Sequence, residues 1–269
     1  MRFFLPFLLA VAIACQRPIS KVTTTTTSNV PEPLSADIAD YSRYVRQGIG
    51  FLALGNEPFW SLTIQADRQL VFRTPTDSLL LPVPPERVLA NGERTYDVKA
   101  REAELHVSIR PVGYTDSLSG KLFNHTVEVR VKQGNKASHV YKGGGTSLNQ
   151  LLLLNDIWVL TSLNGEMIKP VTAGNKVTQG VPQIEIQLTN GRVVGTGGCN
   201  RISGQVRADN RYVAFGPIIA TRMACPGDAN QIESRFTTAL QGTLAYHVEK
   251  GVLTLSRTGK PIMTFKRTD

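Results

Sequence analysis

Three cysteines stand in 269 residues, and none shares a zinc-type spacing with a histidine. His106, His125 and His139 are scattered, with no HExxH pair, so no metal ligand set is expected. No Ser-His-Asp set, phosphate loop or dinucleotide glycine pattern is legible. The glycines at 143–145 are not followed by Lys-Ser/Thr and a helix, as a phosphate cradle requires. Scattered carboxylates are too common to define an acid–base pair. An enzyme is therefore the least supported class: no catalytic residue, no metal and no cofactor is expected. Blocks of consecutive Lys and Arg are missing as well. The net charge is +9, with +1 in residues 1–39, +3 in 40–149 and +5 in 150–269. Nucleic-acid recognition would require a clustered basic stripe, so no nucleic-acid partner is expected. A basic surface facing solvent, anionic lipid or glycan remains. The apolar run at 3–13 is too short to cross a bilayer, which takes about 20 residues.

That run is the core of an address. Arg2 precedes it, and Ala14 and then Cys15 follow it, the order of a secretory signal over residues 1–14. The tail Ala12-Ile13-Ala14-Cys15 resembles the bacterial lipobox, although Ala12 stands where leucine is usual. The resemblance implies that Cys15 is acylated and becomes the first mature residue. The other reading is a cleaved signal with an incidental cysteine. Gln16 is not the aspartate that retains lipoproteins at the inner membrane in enteric bacteria, so the expected location is the cell envelope, on the outer membrane facing the periplasm. Residues 15–33 add a polar tether, with Thr23, Thr27, Ser28, Pro31 and Pro33 and no apolar period.

Two folded parts are expected, 34–148 and 150–269, both mainly β and each a small antiparallel barrel or curved sheet. The short gap between them suggests contact. In the first, residues 34–48 read as a helix with Ser35 as cap and Gly48 as stop. Segments 59–66, 69–73, 94–99, 104–109, 126–131 and 139–142 alternate as strands, and 74–85 reads as a Pro-rich loop. GNEPFW at 55–60, YTDSLSG at 114–120 and FNHT at 123–126 resemble a poorly characterised bacterial envelope domain. Relatives often carry a cysteine before the DSMSG-like segment and another in a terminal Gly-Cys-Gly. Here those places hold Tyr114 and the three glycines, so the resemblance implies one lost cross-link. GNEPFW has two readings. Glu57 and Asp116 form a carboxylate pair beside Trp60 as a sugar-stacking platform; or Glu57 accepts backbone N–H groups while Phe59 and Trp60 fill the core. An aromatic pair entering a strand is usually core.

In the second part, 183–188, 192–196, 211–215, 244–249, 252–256 and 262–266 read as strands. Asn164-Gly165 and Asn190-Gly191 read as turns, the latter in a tight hairpin. Residues 228–241 form the one convincing helix, with Ile232, Phe236, Ala239 and Leu240 on a face and Gly242 as stop. WVLTSLNG at 158–165, GGCNR at 197–201 with Gly204, TRMAC at 221–225, Glu233, Phe236 and LTL at 253–255 resemble the META domain. That family includes the heat-shock lipoprotein HslJ. The resemblance implies a compact antiparallel β fold with one helix, exported and often lipid-anchored, linked to envelope stress, antibiotic tolerance or motility. It implies no reaction.

Cys199 and Cys225 are the two thiols left once Cys15 is lipidated. In an oxidising compartment an even pair reads as a disulfide, contributing about 3 kcal/mol by loop closure. A redox pair is the alternative, though such pairs are commonly CxxC. Asn200, Arg201, Thr221 and Arg222 lie beside them. The two guanidinium groups suit an anion; the plainer reading pairs them with Glu233 or with loop carbonyls. The expected function is a non-catalytic envelope lipoprotein supporting envelope integrity, with an envelope protein or glycan as partner. The alternative is an inhibitor or binding module acting on a lysozyme-like or peptidase enzyme through the loops 79–92 or 169–180.

Overall fold

The computed structural model describes Met1 and residues 38–65, 68–101, 103–173, 176–225 and 228–268. The expected leader beyond Met1, the acylated Cys15 and the tether lie outside the described residues. From Ile38 onward the described residues belong to one compact unit. The fold is mainly β, with 54% strand and 11% helix, and holds a curled half-barrel and a closed eight-stranded barrel. Two small barrel-like sheets were what the alternation implied.

The half-barrel begins after helix α1 (Ser42–Arg46). Its strands are β1 (Ile49–Asn56), β2 (Phe59–Gln65), β3 (Gln69–Arg73), β4 (Ser78–Pro82), β5 (Arg87–Val88), β6 (Arg94–Lys99) and β7 (Ala103–Arg110). A two-stranded ladder of β8 (Tyr114–Thr115) and β9 (Leu122–Phe123) intervenes before β10 (His125–Gln133) and β11 (His139–Ser147). The order across the nine-stranded sheet is β4-β3-β2-β1-β11-β10-β7-β6-β5. Several elements differ from the sequence reading, and the helix read over 34–48 is, among the described residues, only α1. The expected loop 74–85 contains β4, paired along β3 from Arg73–Ser78 to Gln69–Pro82. The strand read at 139–142 runs on through the glycines 143–145 as β11. β1 is one of the strands that alternation did not reveal, as are those at Ile157–Leu163 and Arg201–Ala208. Phe51 and Ala53 face the half-barrel core, while Ile49 and Leu52 face a second core. Burial on both faces removes the period-2 signal.

Helix α2 (Asn149–Leu154) leads into the barrel. Its elements are β12 (Ile157–Leu163), β13 (Glu166–Met167), β14 (Val171–Ala173), β15 (Lys176–Gln179), β16 (Gln183–Gln187), β17 (Arg192–Thr196) and β18 (Arg201–Ala208). They continue with β19 (Tyr212–Phe215), β20 (Ile219–Ala220), helix α3 (Ala229–Leu240), β21 (Gly242–Glu249), β22 (Val252–Arg257) and β23 (Lys260–Arg267). The ring runs β12-β16-β17-β18-β19-β21-β22-β23 and closes where β23 pairs back on β12, Leu160 opposite Phe265. Closure leaves no free edge in the ring. Asn164 and Gly165 both adopt positive φ, at 51° and 84°, in the turn to β13. Trp158, Leu160, Phe215, Phe236 and Phe265 fill the interior, and Tyr41, Val45, Leu52, Leu151 and Leu154 join the same apolar cluster. One core thus binds α1, β1 and α2 to the barrel.

Candidate functional site

The hairpin from β17 to β18 turns through Gly197-Gly198-Cys199-Asn200. Thr196 opposite Arg201 closes its base. Gly198 has φ +105°, a region that glycine alone enters without strain. Its N–H donates to Thr196 Oγ1 at 3.1 Å, and the Gly197 N–H donates to the Asn200 carbonyl at 2.8 Å. A Cβ on Gly197 would collide with the Glu233 side chain, so glycine here lets α3 approach the turn. Cys199 is bonded to Cys225, 26 residues on, with Cα atoms 6.1 Å apart. The bridge holds the turn against the segment that precedes α3.

Asn200 is the centre of this construction and is only 3% exposed. Its backbone N–H and its Nδ2 donate to the two carboxylate oxygens of Glu233 at 2.8 and 2.9 Å. Its Oδ1 accepts from Met223 N–H at 2.7 Å and from Thr221 Oγ1 at 3.0 Å. Thr221 Oγ1 in turn accepts from Arg201 N–H at 3.1 Å. One asparagine thereby fixes β18, the 221–223 segment and α3. Every polar atom involved has a partner, the condition under which a buried network rigidifies rather than destabilises. Asn200 is a brace here, not an exposed contact residue.

The sequence reading placed Ile232, Phe236, Ala239 and Leu240 on the inner face of α3. The structure buries Ala229, Glu233, Phe236 and Leu240 there, with Ile232 and Ala239 partly covered. Glu233 is thus a carboxylate on the apolar stripe. The signal was available in its spacing, four from Ala229 and three from Phe236. Pairing of Glu233 with Arg201 or Arg222 does not occur, because Asn200 occupies both carboxylate oxygens. Neither arginine makes an ion pair among the described residues.

What the brace presents is different in kind. Arg201, Thr221 and Arg222 are exposed, as are the apolar Ile219 and Met223. Thr221, Arg222 and Met223 line an open cleft of about 750 Å³ against Asn230 and Ser234 of α3. Ile219, opposite Ser203 in the register, also borders a second groove of about 670 Å³. That groove lies between α1 and the β17–β18 hairpin and is lined by Asp40, Val45, Arg192, Gln205 and Arg207 among others. Asp40 is held below the usual carboxylate range, first by the Ser42 N–H and then by nearby Arg207 and Arg43. Four arginines and an exposed isoleucine therefore border one stretch of barrel surface.

The first-half candidates behave otherwise. Trp60 is 4% exposed. Its Nε1 donates to the Lys142 carbonyl at 3.1 Å, and its ring lies 5.9 Å from Phe72 and 6.4 Å from Tyr141. It is a core residue with no open face for stacking. A Cβ on Gly55 or Gly143 would strike its indole, so those glycines make its space. Gly144 leaves room for the Phe123 ring on the opposite face, and Phe123 pairs with Tyr114 at 6.3 Å. At Tyr114 and Gly144 the chain is held by aromatic packing. Asp116 is buried and accepts from Asn56 Nδ2 at 2.6 Å, Ser119 N–H at 2.7 Å and Ser119 Oγ at 2.6 Å. The Ser119 hydroxyl foremost holds its carboxyl below the usual range. Asp116 is committed to joining two loops, while Glu57 is exposed in the turn between β1 and β2. None of the hydrogen bonds that Asp116 accepts comes from Glu57.

Among the described residues no group of three or more His, Cys, Asp or Glu is placed to hold a metal ion. No described helix is long and apolar enough to cross a membrane. No curated protein matches the chain. Among solved structures it is similar to an NMR structure of a protein, 22% identical, over 44% of this chain and 93% of that one, with TM-score 0.35. It is also similar to an NMR structure of a protein from Burkholderia xenovorans, 23% identical, over 44% of this chain and 86% of that one, with TM-score 0.35. A family model described as META domain matches residues 150–269, the segment that holds the closed barrel, the Cys199–Cys225 bridge and the Asn200–Glu233 brace.

Proposed function

We propose that the protein is a non-catalytic lipoprotein of the cell envelope. It is anchored through Cys15 to the outer membrane on the periplasmic side, and it supports envelope integrity under stress and antibiotic exposure. In this reading its META domain binds an anionic envelope partner, a glycan or a protein, through Arg201 and Arg222 with Arg192 and Arg207 alongside. The observation that carries the reading is the contrast within the site. A buried, fully paired network and a disulfide fix the backbone, and the side chains they present are exposed cations and apolar groups. Such rigidity lowers the ordering cost of binding, and guanidinium forks suit carboxylate and phosphate groups.

The test is direct. Arg201→Ala with Arg222→Ala removes two exposed side chains and none of the brace, so the melting temperature stays at the wild-type value. Capture of envelope material by the purified protein falls at least about tenfold, the equivalent of 1.4 kcal/mol. Equal capture by the variant and the wild type would end the proposal. In cells, a deletion strain is sensitised to heat and apolar antibiotics; wild-type protein restores growth and the Cys15→Ala variant does not. The inhibitor reading has less support. Part of its first candidate loop, 79–92, is the paired strand β4, so it has less chain free to enter an enzyme cleft.

A further inference from the structure

The loops cross-braced by Asp116 carry three exposed apolar side chains. Phe59 is 58% exposed, Leu118 67% and Leu122 74%. The register and hydrogen bonds place them together. Phe59 lies directly opposite Asn56, which donates to Asp116. Leu118 lies in the turn closed by the Ser119 and Gly120 N–H bonds to Asp116. Leu122 lies opposite Thr115, next to Asp116 in sequence. Neighbouring rings are turned inward, Trp60 into the half-barrel and Phe123 onto Gly144. The fold therefore has core for aromatic residues here and nonetheless leaves Phe59 in water. Clustered exposed apolar groups on a rigid support mark a contact surface.

The position of the cluster identifies what it meets. Lys121, in the same loop, sits over the Tyr41 ring at 5.7 Å and over the Phe123 ring at 5.1 Å. Tyr41 is three residues from Ile38, the first described residue after Met1. The apolar cluster thus lies beside the point at which the segment from Cys15 enters the folded unit. Residues 16–37 can span at most about 75 Å. An anchor on Cys15 keeps this end of the half-barrel within reach of the bilayer.

We propose that Phe59, Leu118 and Leu122 form a membrane-contacting tip that inserts into the phospholipid interface and sets the orientation of the folded unit. The proposal rests on the lipid-anchored reading for its biological setting, but insertion is a property of the tip alone. Glu57 and Lys121 lie beside it in sequence with opposite charges, so insertion of the tip itself is driven by apolar burial.

The experiment uses the Cys15→Ala protein, which has no acyl chain, mixed with phosphatidylethanolamine–phosphatidylglycerol vesicles at millimolar lipid. The two native tryptophans, Trp60 and Trp158, are buried, so a Leu118→Trp substitution reports from the tip. Brominated lipid is expected to quench its emission, and the quenching is expected to persist at high salt, where charge attraction to phosphatidylglycerol is screened. Phe59→Ser with Leu122→Ser in the same protein is expected to lower vesicle partitioning about tenfold or more. A melting curve on that variant shows whether the fold is retained, and the reporter needs neither serine substitution. Unquenched Leu118→Trp emission overturns the tip, as does saturable burial of the cluster by a soluble envelope protein without lipid quenching. Loss of the wild-type protein from membranes, or absence of acylation at Cys15, overturns the anchor instead and leaves the quenching result standing.

Discussion

Replacing Glu233 by glutamine changes one oxygen for one nitrogen and tests whether the buried brace holds the arginine face. The carboxylate accepts two hydrogen bonds from Asn200, at 2.8 Å from the backbone and 2.9 Å from Nδ2. A carboxamide offers one acceptor and one donor. If its oxygen keeps the backbone bond, its NH₂ confronts the Nδ2 donor of Asn200. Turning the Asn200 amide removes that conflict but withdraws Oδ1 from Met223 N–H and Thr221 Oγ1. No arrangement satisfies all of them. A hydrogen bond to a charged group contributes about 1.5–3 kcal/mol, and a buried group left unpaired costs about 1–3 kcal/mol. A loss near 3 kcal/mol is expected, which for a chain of this size lowers the melting temperature by about 6–12 °C. Circular-dichroism melts with the disulfide intact measure it, and amide exchange at Asn200 and Met223 locates it. The double variant with Asn200→Ala should lose less than the sum of the two single losses, because both remove the same bonds. A Glu233→Gln melt within about 2 °C of wild type, with unchanged exchange at those amides, would refute the reasoning.

Reduction, or Cys199→Ser with Cys225→Ser, frees a closure across 26 residues and costs about 3.5 kcal/mol by loop entropy; identical wild-type melts with and without reductant would contradict this. Gly144→Val drives a side chain into the Phe123 ring, so it destabilises, and Phe123→Ala in the same chain recovers part of the loss; strictly additive losses would show that the two do not touch. Burial, and then Arg94, push the His125 imidazole below its ordinary 6.5. The unfolded chain therefore takes up a proton that the folded chain refuses, and stability falls as pH drops below about 6.5. His125→Gln removes that component, and denaturant midpoints at neutral and mildly acidic pH should differ less than in wild type.

Much of the barrel was legible because its residues obey local rules. Strands such as β17 and β22 have one face in the core and one outside, and their alternation survives in the sequence. The turns at Asn164-Gly165 and Asn190-Gly191 require positive φ at residues that tolerate it. Helix α3 shows its period and its stop. β1 was hidden because both faces are covered, and β11 was read only as far as residue 142 because Gly143–Gly145 carry no alternation. Those glycines are strand residues whose missing side chains make room for Trp60, Phe123 and Phe51. A glycine that yields space to a ring remote in sequence looks locally like one that permits a turn.

The site divides in the same way. The cysteine pair, the adjacent arginines and the META resemblance were present in the residues themselves, since they depend on composition and spacing. Which neighbour faces water depends on the other elements that arrive. Asn200 and Arg201 are consecutive, yet one is enclosed by α3 and the 221–223 segment and the other is exposed. Phe59 and Trp60 are consecutive on a strand, and the pleat sends them to opposite faces. The sequence by itself determined the β character, the turns, α3 and the residues available to the site. Only the tertiary structure decided the closure of β23 on β12, the shared core behind β1, and the sorting of those neighbours into brace, core and exposed surface. Each of those outcomes comes from contacts between residues far apart in the chain, which no local pattern encodes.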